Sequence, residues 1–245
     1  MNWTVARLTL RQLLGRRRVL LLLLLAALLL AVAVIYRLTG SEGQRAEIFT
    51  SRLLSDFGLA TLMPLVALLL GTATLGAEIE DGTAIYLLAK PISRATILFT
   101  KLAIAAVGSV LLTALPIFLA GAITGAGLDN GIALAFAVAA AVGSLIYCAI
   151  FVALSLVTGR ALIFGLLYVL VWEGLLAGLF AGTRTFSVRQ QSLAIADALT
   201  DAPARVLTAQ LDLTTAIVIG GVLLVGATAL AIRRLRRLEI AGETA

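Results

Sequence analysis

The sequence predicts an all-α, polytopic membrane protein with six transmembrane helices. Of its 245 residues, 61% are hydrophobic and only 13% are charged, whereas soluble domains are about 45–50% apolar. The mean hydropathy is +1.10. Several uninterrupted apolar runs reach the roughly 20 residues that cross a bilayer as a helix. Lipid rather than water is therefore the main solvent of this chain.

The first apolar run, 19–36, follows three arginines (16–18), as the core of a secretory signal would. It is longer than the roughly 7–15 residues of such a core, and 37–40 do not form a small-x-small cleavage site. We therefore expect this run to be the first span and to remain in the mature protein.

Residues 1–18 are predicted to form a cytoplasmic interfacial helix. Arg7 and Arg11 share one side of it, where they reach headgroup phosphates, and Trp3 marks the boundary with the apolar side. A simple basic topology signal is the alternative interpretation.

Five further runs of span length follow. A tight hairpin at Thr158-Gly159-Arg160 separates the fourth span from the fifth, because one helix over 132–179 is far too long to cross a bilayer once. The further spans are predicted at 57–77, 97–123, 132–157, 161–179 and 213–232, with 184–212 as the largest external segment, and together they make 1–245 a single transmembrane domain.

Lysine and arginine divide unequally between the two sides of these spans. One side holds Arg7, Arg11, Arg16, Arg17, Arg18, Lys90, Arg94, Lys101, Arg160, Arg233, Arg234, Arg236 and Arg237; the other holds Arg37, Arg45, Arg52, Arg184, Arg189 and Arg205. The positive-inside rule places the richer side, and with it both termini, in the cytoplasm. We expect a multi-pass protein of the cell membrane.

The rarer residue types exclude several kinds of function. The chain has no histidine and a single cysteine, Cys148, so an intrachain disulfide, His-based acid–base catalysis and a His metal site are excluded, and no metal site is expected. The basic residues lie at the ends of apolar runs, which indicates contact with lipid headgroups rather than nucleic acid.

The connection between the second and third spans is predicted to contain a short helix across the cytoplasmic mouth. Gly82 permits a sharp turn, Thr83 can cap a helix over 84–89, Pro91 ends it and Ser93 can cap the next helix. Two interpretations fit: the helix packs on the chain's own spans, or it docks a soluble partner. In the second, apolar residues serve as anchors and acids and bases as the rim.

This connection resembles that of ABC-2 type transporter permeases. Family members typically carry an acid at the end of the second span, an Asp/Glu-Gly-Thr turn, a Leu-Leu pair, a Pro-x-Ser-Arg turn and a lysine that begins the third span. The sequence has Glu78, Asp81-Gly82-Thr83, Leu87-Leu88, Pro91-Ile92-Ser93-Arg94 and Lys101. Six spans with cytoplasmic termini and a basic amphipathic segment before them also match the family.

The resemblance implies that the helix after Thr83 is a coupling helix that docks on a separate ABC ATPase. The docking residues it implies are Glu78, Glu80, Asp81, Gly82, Thr83, Ile85, Tyr86, Leu87, Leu88, Lys90, Pro91, Ser93 and Arg94. The chain has no Gly-x-x-x-x-Gly-Lys-Ser/Thr, so it is not expected to be an enzyme or to hold a cofactor, and ATP and Mg belong to the partner. Family members usually combine two permeases with two ATPases and often export, so a homodimer in membrane lipid is expected.

Glu173 lies inside the fifth predicted span, next to Trp172. A charged side chain at such a depth costs a few kcal/mol and is a functional candidate by default. One hypothesis makes this pair part of a gate on a substrate path, and the other makes Glu173 a hydrogen-bonded residue that joins helices. The glycines at 174, 178 and 182 permit close helix approach and favour the second.

The sequence leaves two structures possible for the external segment 184–212 and does not identify the substrate. The segment is either an interfacial helix, of the kind that ABC-2 type permeases often place between their last two spans, or a solvated loop. In the first case our hypothesis is that it forms the outer lid of the translocation path. A secondary carrier is the alternative to an ABC permease, although internal repeats and broken spans are not evident. No polar cluster in the spans names a substrate.

Overall fold

The computed structural model describes residues 16–40, 43–80, 93–125, 127–128, 130–179 and 181–237. This part of the chain contains helices and no strand. The helices are α1 (Arg16–Leu38), α2 (44–80, composed of Gln44–Arg52, a π-helical stretch Leu53–Leu62 and Met63–Glu80), α3 (Arg94–Ile123), α4 (Ile132–Val157), α5 (161–179, composed of Ala161–Leu167, a π-helical stretch Tyr168–Leu176 and Ala177–Leu179), α6 (Ala181–Arg184), α7 (Val188–Leu199) and α8 (Leu213–Arg237). The predicted all-α fold class is confirmed. The predicted helices over 1–18 and 84–89 lie outside the described residues, apart from 16–18, which begin α1.

Five helices in the described ranges, α1, α2, α3, α4 and α8, are long and apolar enough to cross a membrane. The remaining predicted span, the fifth (161–179), differs. Its apolar part is the shorter Ala161–Leu176, which spans about 24 Å as an α-helix against a hydrocarbon core of roughly 30 Å. After Leu179 the chain folds back on α5, since Thr183 Oγ1 donates to the Leu176 carbonyl (2.8 Å) and Arg184 Nε donates to the Ala177 carbonyl (3.3 Å). Helix α7 then continues to Asn130 at the other end of the bundle, so α5 and α7 together take the chain across.

The second span begins earlier than its predicted start at residue 57. The polar stretch Gln44–Arg52 is already helical and runs without a break into the π-helical stretch. Its polar residues have partners: Asn130 Nδ2 donates to Glu47 Oε1 (2.7 Å), and Thr50 Oγ1 donates to Thr124 Oγ1 (2.8 Å). Hydropathy alone misses such a helix because its side chains are polar. They are held by hydrogen bonds to residues near the α3–α4 connection, which the sequence does not reveal.

Helix α4 lies at the centre of the bundle. It has the predicted bounds, 132–157, and packs against α2, α3, α7 and α8. Phe136, Tyr147 and Phe151 are fully buried on it. The hairpin predicted at 158–160 is confirmed, since α4 ends at Val157 and α5 begins at Ala161.

Small residues bring the helices of this bundle close together. A Cβ at Gly121 of α3 would lie 2.7 Å from the Ala133 Cβ of α4, so a larger residue forces these helices apart. In lipid, where apolar burial does not drive helix association, close van der Waals packing of this kind stabilises the bundle.

The bundle has two ends. The terminal end carries the start of α1, the end of α2, the start of α3, the 157–161 hairpin and the end of α8. The loop end carries the end of α1, the start of α2, the end of α3, the start of α4 and the start of α8. Arg94, at the start of α3, bonds the last turn of α8, which fixes their common end. The end of α1 lies beside the end of α3, because a Cβ at Gly125 would overlap the Arg37 guanidinium, so the start of α1 lies with the start of α3. The first and last described residues therefore lie at the same end.

Helix α7 packs into the bundle from the loop end instead of lying on its surface. Thr200, just after its last residue, donates to the carbonyl of Asn130 at the loop end (2.8 Å). Its 12 residues then extend about 18 Å inward, and Ser192 reaches the level of Gly143, about 16 Å along α4 from its start. Of the two alternatives for 184–212, a solvated loop does not describe this buried helix.

Candidate functional site

Ser93 fixes the start of α3 at the terminal end of the bundle. Its Oγ accepts a hydrogen bond from the Thr96 backbone N–H (3.2 Å), which satisfies one of the donors left open at a helix N-terminus. The helix cap predicted at Ser93 is confirmed.

Arg94 binds the end of α8. Its Nη1 donates to the backbone carbonyls of Leu235 (3.0 Å) and Arg236 (2.8 Å). These carbonyls belong to the last turn of a helix, where acceptors lack intrahelical donors and cations are favoured. The guanidinium therefore ties the start of α3 to the end of the last span.

Lys101 ties α3 to α2. Its side chain is buried, with 1% exposed, and Nζ donates to the Thr74 carbonyl of α2 (2.6 Å). A buried ammonium requires such partners because desolvation of the charge is costly. The two basic residues, Arg94 and Lys101, thus hold α3 between α8 on one side and α2 on the other.

Besides Arg94 and Lys101, a third charged residue, Glu173, is held by hydrogen bonds inside the bundle. It is buried, with 4% exposed, and its carboxylate accepts bonds from Ser187 Oγ (2.5 Å), the Val188 backbone N–H (2.9 Å) and, at a longer 3.4 Å, Tyr168 Oη. Ser187 also caps α7 by accepting from the Gln190 N–H (3.2 Å). The carboxylate therefore sits at the N-terminus of α7, where the helix dipole favours a negative charge.

A second carboxylate reaches the first turn of α7 from another helix. Asp56 Oδ1 accepts from Arg189 Nη2 at 2.8 Å, in an ion pair whose Asp56 side chain is 69% exposed. Asp56 lies in the π-helical stretch of α2, and Glu173 lies in that of α5. Wide turns of this kind are frequent at functional sites, and here both present an acid to the same helix end.

The comparisons with known proteins identify the family. A family model described as ABC-2 family transporter protein matches residues 3–240. The chain belongs to this family. Comparison with curated proteins gives no match. Membership makes the chain a multi-pass transporter permease, a component that is not generally catalytic, and implies an ABC ATPase as its partner.

The predicted docking residues of this ABC-2 permease fall into three groups. Ser93 and Arg94 begin α3, as described above. Glu78 and Glu80 belong to the last turns of α2, and the structure describes only their backbone. The others, Asp81, Gly82, Thr83, Ile85, Tyr86, Leu87, Leu88, Lys90 and Pro91, lie outside the described residues, so their docking role stays a prediction.

The predicted pair at 172 and 173 separates into two environments. Glu173 is bonded to α7, whereas Trp172 is partly buried beside it. The partners Ser187 and Val188 were not predicted, because they follow Glu173 by 14 and 15 residues in a segment expected to be external. One local signal points to them: Ser187 and Gln190 have the spacing of a capping box, S-x-x-Q, which marks the start of a helix.

Proposed function

We propose that this permease is the membrane-spanning subunit of an ATP-driven exporter, coupled to a separate ATPase through the segment 78–94. The observation that carries the proposal is the attachment of both flanks of that segment. Before it, α2 is held through the Thr74 carbonyl by Lys101; after it, Arg94 holds the end of α8. A force applied to the segment therefore acts on α2, α3 and α8 together.

The orientation follows from charge. The terminal end holds the basic cluster Arg233, Arg234, Arg236 and Arg237 together with the three arginines (16–18) that begin α1, and the positive-inside rule favours the cytoplasm for such an end. A soluble ATPase is then on the same side as the segment that it contacts. The permease lies in the cell membrane with both termini cytoplasmic.

Exposed apolar faces support contact with lipid and with a second copy of the permease. Many leucines along α1 and α5 are exposed, among them Leu24 (66%) and Leu170 (60%). The exposed side of α8 carries Val222 and Val225, which are 65% and 68% exposed. Such faces require lipid or another helix as cover, and a homodimer of the permease within the bilayer provides both.

Copurification tests the proposal. The tagged permease is isolated from its native host in mild detergent, and the proteins that accompany it are identified by mass spectrometry. We expect a stoichiometric soluble protein with a phosphate-binding loop. Recovery of the permease alone, under conditions that keep other membrane complexes intact, contradicts the proposal and favours a secondary carrier.

A pair of matched variants then tests the segment itself. Tyr86→Asp with Leu87→Asp places two charges in the proposed apolar anchor, and we expect the ATPase to be lost from the complex while membrane insertion is normal. The control, Leu38→Asp with Leu128→Asp, places the same charges on exposed residues at the opposite end and should retain the ATPase. Equal ATPase recovery in both removes the docking role of the segment.

A further inference from the structure

The exposed side of α2 differs from the exposed sides of the other long spans. Between residues 46 and 74 of α2, only Arg52 and Asp56 are exposed. The large exposed hydrophobic residues of α3 include Leu115 (54%) and Leu119 (39%), and those of α1, α5 and α8 are mainly leucine, isoleucine and valine. Helix α2 therefore presents charge to its surroundings where its neighbours present hydrocarbon.

Packing contacts give the depth of Asp56 in the bundle. A Cβ at Gly121 of α3 would lie 3.3 Å from Leu54 Cδ1, and a Cβ at Gly58 would lie 3.0 Å from Ile117 Cγ1 of α3. Asp56 lies between residues 54 and 58, so its level on α3 lies between residues 117 and 121. This level is roughly 3–9 Å inside the last residue of α3, within the apolar part of that span.

The charged groups at this level are only partly satisfied by the protein. Asp56 Oδ1 accepts from Arg189 Nη2 (2.8 Å) and from Ser55 Oγ (3.2 Å), and neither bond uses Oδ2. The Asp56 side chain is 69% exposed, and Arg52 adds an exposed guanidinium four residues earlier. Charged groups in hydrocarbon are unfavourable, and in membrane proteins they face the bundle interior or a water-filled cavity. Since these two face outward, water has to reach them.

We propose that Arg52, Ser55 and Asp56 of α2, together with Arg189 of α7, line a water-filled recess that opens at the loop end and receives the polar part of the cargo. We name it the outer recess. Among the described residues, the other exposed charged side chains lie at the ends of spans or in connections, so the outer recess is where a polar group enters the apolar layer without contact with hydrocarbon. The role in cargo passage rests on the exporter function proposed above, whereas the presence of water does not.

Thiol accessibility tests for the water. Ser55→Cys, Leu119→Cys and Leu128→Cys are each made in a chain whose native Cys148 is changed to alanine. The proteins are reconstituted in phosphatidylcholine vesicles, and a cationic thiosulfonate that does not cross the bilayer is supplied on both sides. Modified and free thiols are then counted by mass spectrometry, and melting temperatures identify any variant that fails to fold.

The two leucine positions are the controls for water and for lipid. Leu128 is 58% exposed in the α3–α4 connection, and Leu119 is an exposed residue of α3 at the level of Asp56. The reagent attacks the thiolate, which forms in water, and its own charge keeps it out of hydrocarbon. We expect Ser55→Cys to react at least roughly 100-fold faster than Leu119→Cys and within about tenfold of Leu128→Cys.

Reagents of opposite charge test the residues that line the recess. The ratio of the reaction rates with a cationic and an anionic thiosulfonate is measured at Ser55→Cys. Asp56→Asn should lower this ratio about fivefold, because a neighbouring negative charge is lost, and Arg52→Gln should raise it by a similar factor. The ratio at Leu128→Cys should change less in both backgrounds.

Two results overturn the outer recess. If Ser55→Cys reacts as slowly as Leu119→Cys, the face is covered by lipid or by a second copy, and a crosslink between two Ser55→Cys copies identifies the latter. If all three thiols react equally fast, this level lies among the headgroups and not in the apolar layer.

The cargo role is tested in the complex with the ATPase. We expect ATP to change the reaction rate at Ser55→Cys and to leave Leu128→Cys unchanged. An equal rate with and without ATP, in a complex that hydrolyses ATP, overturns the cargo role. Failure of the exporter function itself is distinguishable, because no ATPase then accompanies the permease while the reaction at Ser55→Cys stays fast.

Discussion

Replacement of Glu173 by alanine is expected to release α7 from the bundle. The substitution leaves Ser187 Oγ and the Val188 N–H without their acceptor, the buried carboxylate that both now contact. An unsatisfied buried donor costs about 1–3 kcal/mol, so the two together cost about 2–6 kcal/mol. The Tyr168 contact at 3.4 Å is too long to add much. Even about 3 kcal/mol raises the detached population of α7 roughly 100-fold.

A thiol placed under α7 measures this population. Ala194 is buried on α7, and the only native cysteine, Cys148, is also buried and can be changed to alanine. In the Ala194→Cys background, the rate of maleimide labelling follows the open fraction when closing is faster than reaction. We expect Glu173→Ala to label roughly 100-fold faster than the parent. Glu173→Gln keeps one acceptor oxygen and should fall between the two.

The matched control removes the other carboxylate that α7 contacts. Asp56→Asn breaks the ion pair with Arg189, but Asp56 is 69% exposed, and exposed pairs contribute only about 0–1 kcal/mol. Labelling should rise fivefold at most. If Glu173→Ala labels at the parent rate and melts at the parent temperature, Glu173 does not hold α7. Loss of transport in Glu173→Gln at a normal labelling rate and protein level instead indicates a gate.

Three further predictions concern the packing of the helices. Arg94→Met removes both bonds to the last turn of α8, each worth about 1 kcal/mol, so hydrogen exchange at 233–237 should speed up by roughly 30-fold at most. Arg234→Met, which changes an exposed arginine of the same turn, should not alter the exchange rate. Gly121→Ala places a methyl group against Ala133, so the free energy of unfolding should fall by about 1–3 kcal/mol and the melting temperature should fall with it. Gly226→Ala, where the added methyl group meets open space, should not lower the melting temperature. Combining Ser187→Ala with Glu173→Gln should cost less than the sum of the single changes, because both break the same bond.

The sequence predicts those features of this fold that depend on local signals. The bounds of α4 follow from the length of its apolar run, the 158–160 hairpin from the limit on span length, and the Ser93 cap from its side-chain chemistry. The family resemblance depends on motifs in one connection, and the family match bears it out. These features need no knowledge of how the helices pack.

The features that the sequence missed depend on tertiary contacts. The start of α2 at Gln44 is polar, and its partners are the loops at 124 and 130. The position of α7 inside the bundle is missed because Gln191 and Ser192 are polar by type, yet they are buried against α4 and α8. Glu173 stands out in its apolar run, but its ligands can be recognised only after the chain folds back on itself.

Helix α2 runs between the Lys101 contact near the terminal end and the contacts that hold the start of α7, so it offers a route by which a displacement can pass from one to the other. It carries Thr74, which Lys101 binds at the terminal end, and Asp56, which contacts α7 about 27 Å away at 1.5 Å per residue. The exposed Asp56 pair is too weak to carry a displacement by itself. The tighter contact is at Gly143, where a Cβ would lie 2.6 Å from the Met63 Sδ of α2 and would also overlap the Ser192 hydroxyl of α7.

A displacement of α2 therefore reaches α7 through packing at Gly143 more than through the ion pair. If ATP changes labelling at Ala194→Cys in the complex with the ATPase, Lys101→Met should reduce that change, because α2 is then released from α3, and Asp56→Asn should leave most of it. Met63→Ala, which opens space at the packed contact, should reduce it more than Asp56→Asn does. An ATP-dependent change that is lost in Asp56→Asn but kept in Met63→Ala contradicts this route, since the weaker contact would then be the one that transmits.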